Sequence, residues 1–384
     1  MDILRTIPVF YPEVNGPANQ AYHISRGLLQ EGIRSRIFTT NHKATAAPQK
    51  EVMDGFVVTR FKESFGFMAY RRTIGIRRLY SETADIIHAH SYRNAMTDAA
   101  FRMARRKRLP FVLQPHGQLL MFRHTLNGLR RLPYRVYDLL TQRKQALQAN
   151  AVVVATQQEK TEAIEFGVSE ERLHVIPVGA ATIDVQSRPP ADISNGLQIL
   201  FVGRISPDRN LEQVLHGVAK FRARTSTDVW LRIVGPVRLR SMTHSGDAYI
   251  RRVRSLITHL QLDNSVEFCG EHYGPELSEF YRKADLFVYT SNYENFGQTV
   301  LEAAAHGCPI ISTPTGVARD IVRDGKTGFL VPHGDSEALS ERLREVFENP
   351  AKLASYGQAI HQLVSRNYQW EAIIHQYRQL YQSL

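Results

Sequence analysis

Short apolar runs alternate with amphipathic stretches along most of this 384-residue chain. The runs Ile3–Val9, Arg36–Thr40, Phe56–Phe61, Asp85–Ala89, Phe111–Gln114, Ala151–Ala155 and His174–Ile176 predict strands, being short and rich in β-branched and aromatic residues. Apolar spacing near 3.6 predicts helices over Ala18–Gln30, Asn94–Arg106, Pro133–Gln148 and Gln157–Phe166. Strands alternating with helices build βαβ units and a parallel sheet. The pattern stops at the Pro- and Ser-containing stretch Val185–Gly196, which reads as a linker, and restarts at Gln198–Gly203. Further strands are expected at Val229–Val234, Ser265–Phe268, Leu286–Tyr289 and Pro309–Ser312. The chain ends in helical patterns at Asp335–Phe347, Ala351–Ser365 and Trp370–Tyr381.

This organisation predicts an α/β protein of two Rossmann-like domains, 1–185 and 196–365, their parallel sheets facing an interdomain cleft. A C-terminal helix, about 366–384, is expected to pack back on the first domain. Ligands of open α/β sheets bind outside the carboxyl ends of the strands, so the candidate chemistry is sought there. Composition is ordinary for a globular protein, with 43% apolar and 22% charged residues, which excludes disorder and collagen. No apolar run approaches a membrane span, and the N-terminus lacks a signal-peptide pattern. Cys269 and Cys308 form neither a metal motif nor a disulfide framework. A cytoplasmic protein is therefore expected.

The net charge of +11 is unevenly placed. Residues 60–144 hold 18 Lys/Arg and 5 Asp/Glu, a net of +13, and the rest of the chain is close to neutral. A concentrated positive field attracts nucleic acid, anionic lipid or phosphorylated substrates, although it also serves simply as a soluble face. Within it, Phe61, Phe65, Phe67, Met68 and Tyr70 are interleaved with Arg60, Lys62, Arg71 and Arg72, and the strings Phe101–Arg108 and Arg130–Arg135 add more cations. Apolar residues beside cations suit a membrane interface.

The richest chemical string runs from Ser291 to Pro309. After the strand Leu286–Tyr289, residues Asn295, Phe296 and Gly297 break the pattern, and a helix begins at Gln298. A helix start opened by glycine after a strand presents free N–H groups and a positive dipole end, which suits a diphosphate and involves Phe296, Gly297, Gln298 and Thr299. Glu302, one turn into the helix, can accept hydrogen bonds from a ribose diol, as the acidic residue of dinucleotide sites does. Glu294 precedes the helix, near whatever the far phosphate carries. In the second cluster, Gly203 ends a strand and Arg204 and Arg209 flank the following turn, where two guanidinium groups can neutralise a leaving diphosphate. Gly16, in the loop after the first strand, permits close backbone approach, and His116, at another strand's end, can donate to a sugar oxygen. His88 and His90 read as structural or as lining the cleft, since no third metal ligand stands nearby in sequence. There is no Asp-x-Asp motif for a metal-bound sugar nucleotide, so no metal is expected.

Together these strings resemble glycosyltransferase family 4, retaining enzymes of the GT-B fold. Glu294 and Glu302, with seven residues between them in Ser291-Asn292-Tyr293-Glu294-Asn295-Phe296-Gly297, are similar to that family's E-x7-E motif. Cys308–Ile311 and Asp324–Val331 extend the similarity over nearly the whole chain. The resemblance implies that Glu302 holds the ribose, Phe296 to Thr299 the phosphates, and Arg204 and Arg209 the leaving diphosphate. It further implies that Glu294 holds donor-sugar hydroxyls, that His116 lies beside the reacting sugar, and that Gly16 approaches the donor phosphates. The sequence departs from the pattern at Asn15, where a glycine is usual, at Val178 in place of asparagine, at Thr315 in place of glycine, and at Arg209, where lysine is commoner.

The implied activity is transfer of a hexosyl-type residue from a nucleoside-diphosphate sugar to an acceptor hydroxyl, with retention of configuration and without metal or other cofactor. The acceptor is expected to be a glycan or lipid-linked, as in cell-surface polysaccharide synthesis, met on the cytoplasmic face of an anionic membrane. A GT-B-like epimerase or phosphorylase is the alternative within enzymes. A nucleic-acid-binding protein using the basic stretch would leave the E-x7-E region without a purpose, so no nucleic-acid partner is expected.

Overall fold

The computed structural model describes residues 1–13, 15–42, 45–67, 70–181, 183, 193, 196–237 and 246–384, and the side chains of these except at 65–67, 71, 246 and 247. Met68 and most of the linker 185–196 lie outside the described residues, as do the side chains of Phe65, Phe67 and Arg71. The chain forms two compact units, Met1–Gly179 with Trp370–Leu384, and Ala180–Gln369.

In chain order the strands of the first unit are β1 (Asp2–Thr6), β2 (Arg34–Thr40), β3 (Lys50–Met53), β4 (Phe56–Phe61), β5 (Glu63–Phe67), β6 (Tyr70–Thr73), β7 (Ile86–His90), β8 (Phe111–Gln114), β9 (Ala151–Val154) and β10 (Leu173–Val175). Eight of them make one sheet in the order β10-β9-β8-β7-β1-β2-β4-β3, parallel except at the edge pair β3–β4. β5 and β6 form a separate antiparallel hairpin. Apolar residues fill both faces of the central strands, as expected for a parallel sheet covered by helices on each side. One face carries a core with Leu4, Ile87, Leu113, Val152 and Phe166. The opposite face buries Ile3, Val112 and Val153 under Ile373, Ile374, Tyr377 and Tyr381 of the C-terminal helix Trp370–Gln382. That helix fits closely: a Cβ on Gly27 would stand 2.5 Å from Ile374, and Trp370 stacks on His23 at 4.5 Å.

The second unit holds β11 (Leu197–Val202), β12 (Val229–Val234), β13 (Val266–Gly270), β14 (Leu286–Tyr289), β15 (Ile310–Ser312) and β16 (Gly328–Leu330). Their order, β13-β12-β11-β14-β15-β16, is wholly parallel. This is the doubly wound 3-2-1-4-5-6 order, whose switch point lies between the first and fourth strands, here β11 and β14.

Two expectations are corrected. The helix expected over Pro133–Gln148 is two helices, Leu132–Thr141 and Lys144–Leu147. Gln142 and Arg143 between them both have positive φ, and Arg143 donates to the Phe166 carbonyl at 3.0 Å with its guanidinium over the Phe166 ring. The first strand stops at Thr6 rather than Val9, because Pro8 lacks the N–H that a continuing ladder needs.

Candidate functional site

In the second unit the turns after β11 and β14 lie side by side at the carboxyl edge, on either side of the switch point. They are tied together by Asn292 N–H donating to the Asp208 carbonyl at 2.9 Å, and by the Thr290 and Ser291 hydroxyls donating to the carbonyls of Asn210 and Asp208. Gly203 ends the first strand, and Gly235 packs so close that a Cβ there would stand 2.1 Å from the Gly203 carbonyl oxygen. Arg209 is buried, and its Nη2 meets Glu294 Oε1 at 2.6 Å while its Nη1 reaches Ser291 Oγ at 3.0 Å and Asp208 at 3.1 Å. Tyr289 donates to the same Glu294 oxygen at 2.7 Å. Burial works against the Arg209 charge, but Tyr289, Glu294 and Asp208 outweigh it and raise its pKa. Burial also works against the Asp208 carboxylate, which Arg209, Ser206 and Arg204 nonetheless hold below its ordinary range.

Arg204, half-exposed, pairs with Asp208 at 3.3 Å. The two arginines expected to act alike therefore stand in different settings. Arg204 reaches solvent, whereas Arg209 is committed to Glu294, a pairing across 85 residues that the local motifs did not announce.

Gly297 caps the helix Gln298–Ala305 from the left-handed region, φ 84°, where a side chain is strained. In the first turn, the N–H groups of Gln298 and Thr299 have no acceptor within the helix. Phe296 is buried, and its carbonyl accepts from Val317 N–H at 2.6 Å. Gly316 is required beside it, since a Cβ there would stand 2.4 Å from the Phe296 oxygen. This accounts for keeping one glycine of the usual pair while Thr315 replaces the other. Glu302 accepts from Tyr281 at 3.0 Å. Burial raises its pKa, and the hydrogen bonds from Tyr281 and Gln298 oppose the rise.

In the first unit, Gly16 opens the helix Gly16–Gln30, and a Cβ built on it meets nothing within 4 Å. Asn15 is the N-cap, extended at φ −146°, and its side chain accepts from Ala18 N–H at 2.9 Å. The asparagine that departs from the family's glycine thus does capping work in a conformation open to any residue. His116 follows β8 with φ 53° and is half-buried. Its Nε2 lies 3.1 Å from His90 Nδ1, and burial pushes its pKa down to about 3. Glu159 holds the adjacent backbone, accepting from the N–H groups of Gly117 and of Ala155, the latter at 2.7 Å. His88 and His90 are fully buried beside Arg5.

Beside these strand ends the first unit has a cavity of about 310 Å³, lined among others by Val9, Thr40, Glu63, Arg93, Gln118 and Phe122. Glu63 accepts there from Thr40 and pairs with His42, both at 2.9 Å. Among the described residues no cluster of three or more His, Cys, Asp or Glu can hold a metal ion, and no helix is long and apolar enough to cross a membrane.

A few members of the basic stretch are interior. Arg60 is buried and pairs with Glu51 at 2.5 Å, and Phe61 and Phe101 are core residues. Most of the other cations are exposed, and among the exposed residues is an apolar face of the helix Leu132–Thr141 and the turn before it, with Leu129, Leu132, Val136, Leu139 and Leu140 and, around them, Arg130, Arg135, Arg143 and Lys144.

Two family models match this chain, Glycosyltransferase Family 4 over residues 14–182 and Glycosyl transferases group 1 over residues 184–362. A D-inositol 3-phosphate glycosyltransferase of Frankia alni is 25% identical over 376 residues, covering 90% of each chain. Among solved structures, a sucrose-phosphate synthase of Thermosynechococcus elongatus superposes with a TM-score of 0.79 at 20% identity, covering 100% of this chain and 98% of that one. The Anabaena HepE protein in complex with UDP gives 0.76 at 21% identity, covering 100% of both chains. With both halves of the chain matched and two parallel Rossmann-like sheets in place, this protein belongs to glycosyltransferase family 4 and is a glycosyltransferase of the GT-B fold.

Proposed function

We propose that the chain transfers a hexosyl group from a nucleoside-diphosphate sugar to an acceptor hydroxyl with retention of configuration, without a metal, in the synthesis of a cell-surface or lipid-linked saccharide. The observation that carries this reading is the cluster at the switch point of the second unit. The N–H groups at the start of Gln298–Ala305, Arg204 and Arg209 together supply positive charge for a diphosphate, and Glu302 lies one turn along for a ribose. Solved relatives named for complexes with UDP and with UDP-glucose support a nucleotide-sugar donor.

In the reaction the bond from C1 to the phosphate oxygen breaks and its electron pair leaves with the diphosphate. The acceptor oxygen bonds to C1, and its proton passes to the departing phosphate oxygen. Charge develops on the diphosphate and on an oxocarbenium-like sugar, so fixed donors and cations aimed at the phosphate do most of the work. In this reading Glu294, held by Arg209 and Tyr289 at Oε1, accepts from hydroxyls of the donor sugar. The cavity with Glu63 takes the acceptor, and the exposed leucine face of Leu132–Thr141 brings the chain to an anionic membrane.

The test is thermal stabilisation by UDP-, GDP-, ADP- and dTDP-sugars in the presence of a chelator, followed by the anomeric configuration of the product. One nucleotide family raising Tm by several degrees, with a retained product, is expected. Loss of that stabilisation in chelator would overturn metal independence, and an inverted anomer would overturn retention.

A further inference from the structure

Arg5 is a charged residue of the central strand β1, and it is completely buried. Its partners are all neutral acceptors. Nε donates to Ser35 Oγ at 3.0 Å, Nη1 to His88 Nδ1 at 2.8 Å and to His90 Nε2 at 3.3 Å, and Nη2 to the Tyr381 hydroxyl at 2.9 Å. Taking a guanidinium out of water without a carboxylate partner is costly, so stability alone gives no reason for a cation there. The three imidazoles above it are stacked in sequence, His88 on His90 at 4.4 Å and His90 on His116 at 5.4 Å.

The proton positions follow from donor and acceptor capacity. A guanidinium has only donors, so His90 Nε2 must accept and is unprotonated. His90 is neutral, and its single proton is therefore on Nδ1. That Nδ1–H donates to His116 Nε2, 3.1 Å away, which must in turn be an unprotonated acceptor. The proton of His116 is then on Nδ1, an atom with no hydrogen-bond partner among the described residues. The lowered pKa values of all three rings, caused by burial and for His88 and His90 also by Arg5 and the neighbouring rings, agree with neutral imidazoles.

We infer that Arg5 is a positioning residue: through His90 it fixes His116 as the Nδ1–H tautomer, so that His116 offers a neutral N–H donor to an oxygen of the bound glycosyl donor. Tyr381 belongs to the same arrangement, its hydroxyl 2.7 Å from His88 Nδ1 and accepting from Arg5, so the C-terminal helix contributes to the setting of His116. The inference rests on the reading of His116 as a residue of the sugar site. The wrong tautomer would present a lone pair where the sugar needs a donor, a loss known to be severe where a histidine must be oriented.

The test is nitrogen NMR of the full chain labelled at histidine, at pH 7, with the His90 and His116 signals assigned from His90→Phe and His116→Asn. Both rings are expected with Nδ1 protonated and Nε2 bare. In Arg5→Met the tautomer of His116 should become mixed, and kcat should fall about tenfold or more with KM for the donor little changed. His90→Phe should behave likewise, whereas His90→Asn, whose amide N–H stands near the place of Nδ1, should recover part of the loss. A His116 protonated on Nε2 in the unaltered protein overturns the inference without any variant having to fold, and so does a His116 tautomer indifferent to Arg5→Met and His90→Phe. Near-normal transfer by His116→Asn would instead remove the role of His116 in the sugar site and leave the tautomer assignment standing.

Discussion

Glu294 and the two arginines near it differ in how their charges are buried and paired. Arg209 is buried and meets the partly buried Glu294 at 2.6 Å, so removing either partner takes away the shortest ionic contact of the other, while Asp208 still faces Arg209 and Tyr289 still donates to Glu294, a loss of about 1.5–3 kcal/mol. Arg204 is half-exposed and pairs with Asp208 across solvent, an interaction of at most about 1 kcal/mol. Arg204→Ala should therefore lower turnover about a hundredfold with Tm nearly unchanged, whereas Arg209→Ala should lose both turnover and several degrees of Tm. Glu294→Gln, which keeps the shape and an acceptor for Tyr289, should lose turnover more than stability. Kinetics beside thermal melts of the three variants decide this, and equal melting losses in Arg204→Ala and Arg209→Ala would refute the division of roles. Both glutamates and the arginines were legible in the sequence because each lies in a short string beside a strand end. Their pairing was not, since Arg209 meets Glu294 across 85 residues. Arg5 is reached from His88, His90 and Tyr381 across 83, 85 and 376 residues. The available local signal was an arginine directly after the apolar pair Ile3-Leu4 in a strand buried throughout.

The strands showed themselves by short apolar runs because both faces of a parallel sheet are buried, so the central strands of both units stand where the pattern put them, give or take a residue or two, except that β1 ends three residues early. The elements it missed lack that signature. β3 is a half-exposed edge strand with two charged residues in four, and β16 has three residues. The helix break at Gln142 and Arg143 has no glycine or proline to announce it and is fixed by the contacts of Arg143 with Phe166. Its consequence is the short helix Leu132–Thr141, held down by Asp138, which is buried against Arg93 at 2.6 Å, with its leucines turned to solvent. Leu139 and Leu140 are 77% and 78% exposed and Leu129 86%. Apolar side chains ringed by arginine and lysine match an interfacial helix, in which each inserted leucine contributes about 2 kcal/mol and the cations add attraction to anionic headgroups. Leu139→Ser with Leu140→Ser should weaken binding to phosphatidylglycerol-containing vesicles at least tenfold without lowering Tm, because neither side chain is packed. Co-sedimentation that is unchanged by the pair, or that ignores the anionic lipid, would sink the membrane role of this helix.

Across the whole molecule, the excess charge belongs to the first unit, which also holds a group of buried side chains that shape its response to acid. Burial holds His88 and His90 neutral well below their ordinary range and His116 down to about 3, so their stability contribution is present above about pH 6.5 and is lost as pH falls. Glu159 acts in the opposite sense: burial pushes it up to about 7 against two backbone N–H donors, so its contribution is present below about 4.5 and lost as pH rises through 7. Between about pH 4.5 and 6.5 these histidines favour proton uptake by the unfolded chain, while Glu159, and Glu302 of the second unit, favour it in the folded chain. The lowered histidines, joined by His23, His174 and His333, outnumber the raised carboxyls, so stability rises with pH through the window. Denaturant midpoints measured from pH 5 to 7 should therefore climb. Glu159→Gln, which removes an opposing proton, should steepen the climb by up to roughly 1.4 kcal/mol per unit. A flat profile would mean that the imidazoles beside Arg5 are charged or solvated in the folded state, and a slope indifferent to Glu159→Gln would mean that this carboxyl is ionised throughout the window, in which case its grip on the Gly117 amide beside His116 would not change with pH.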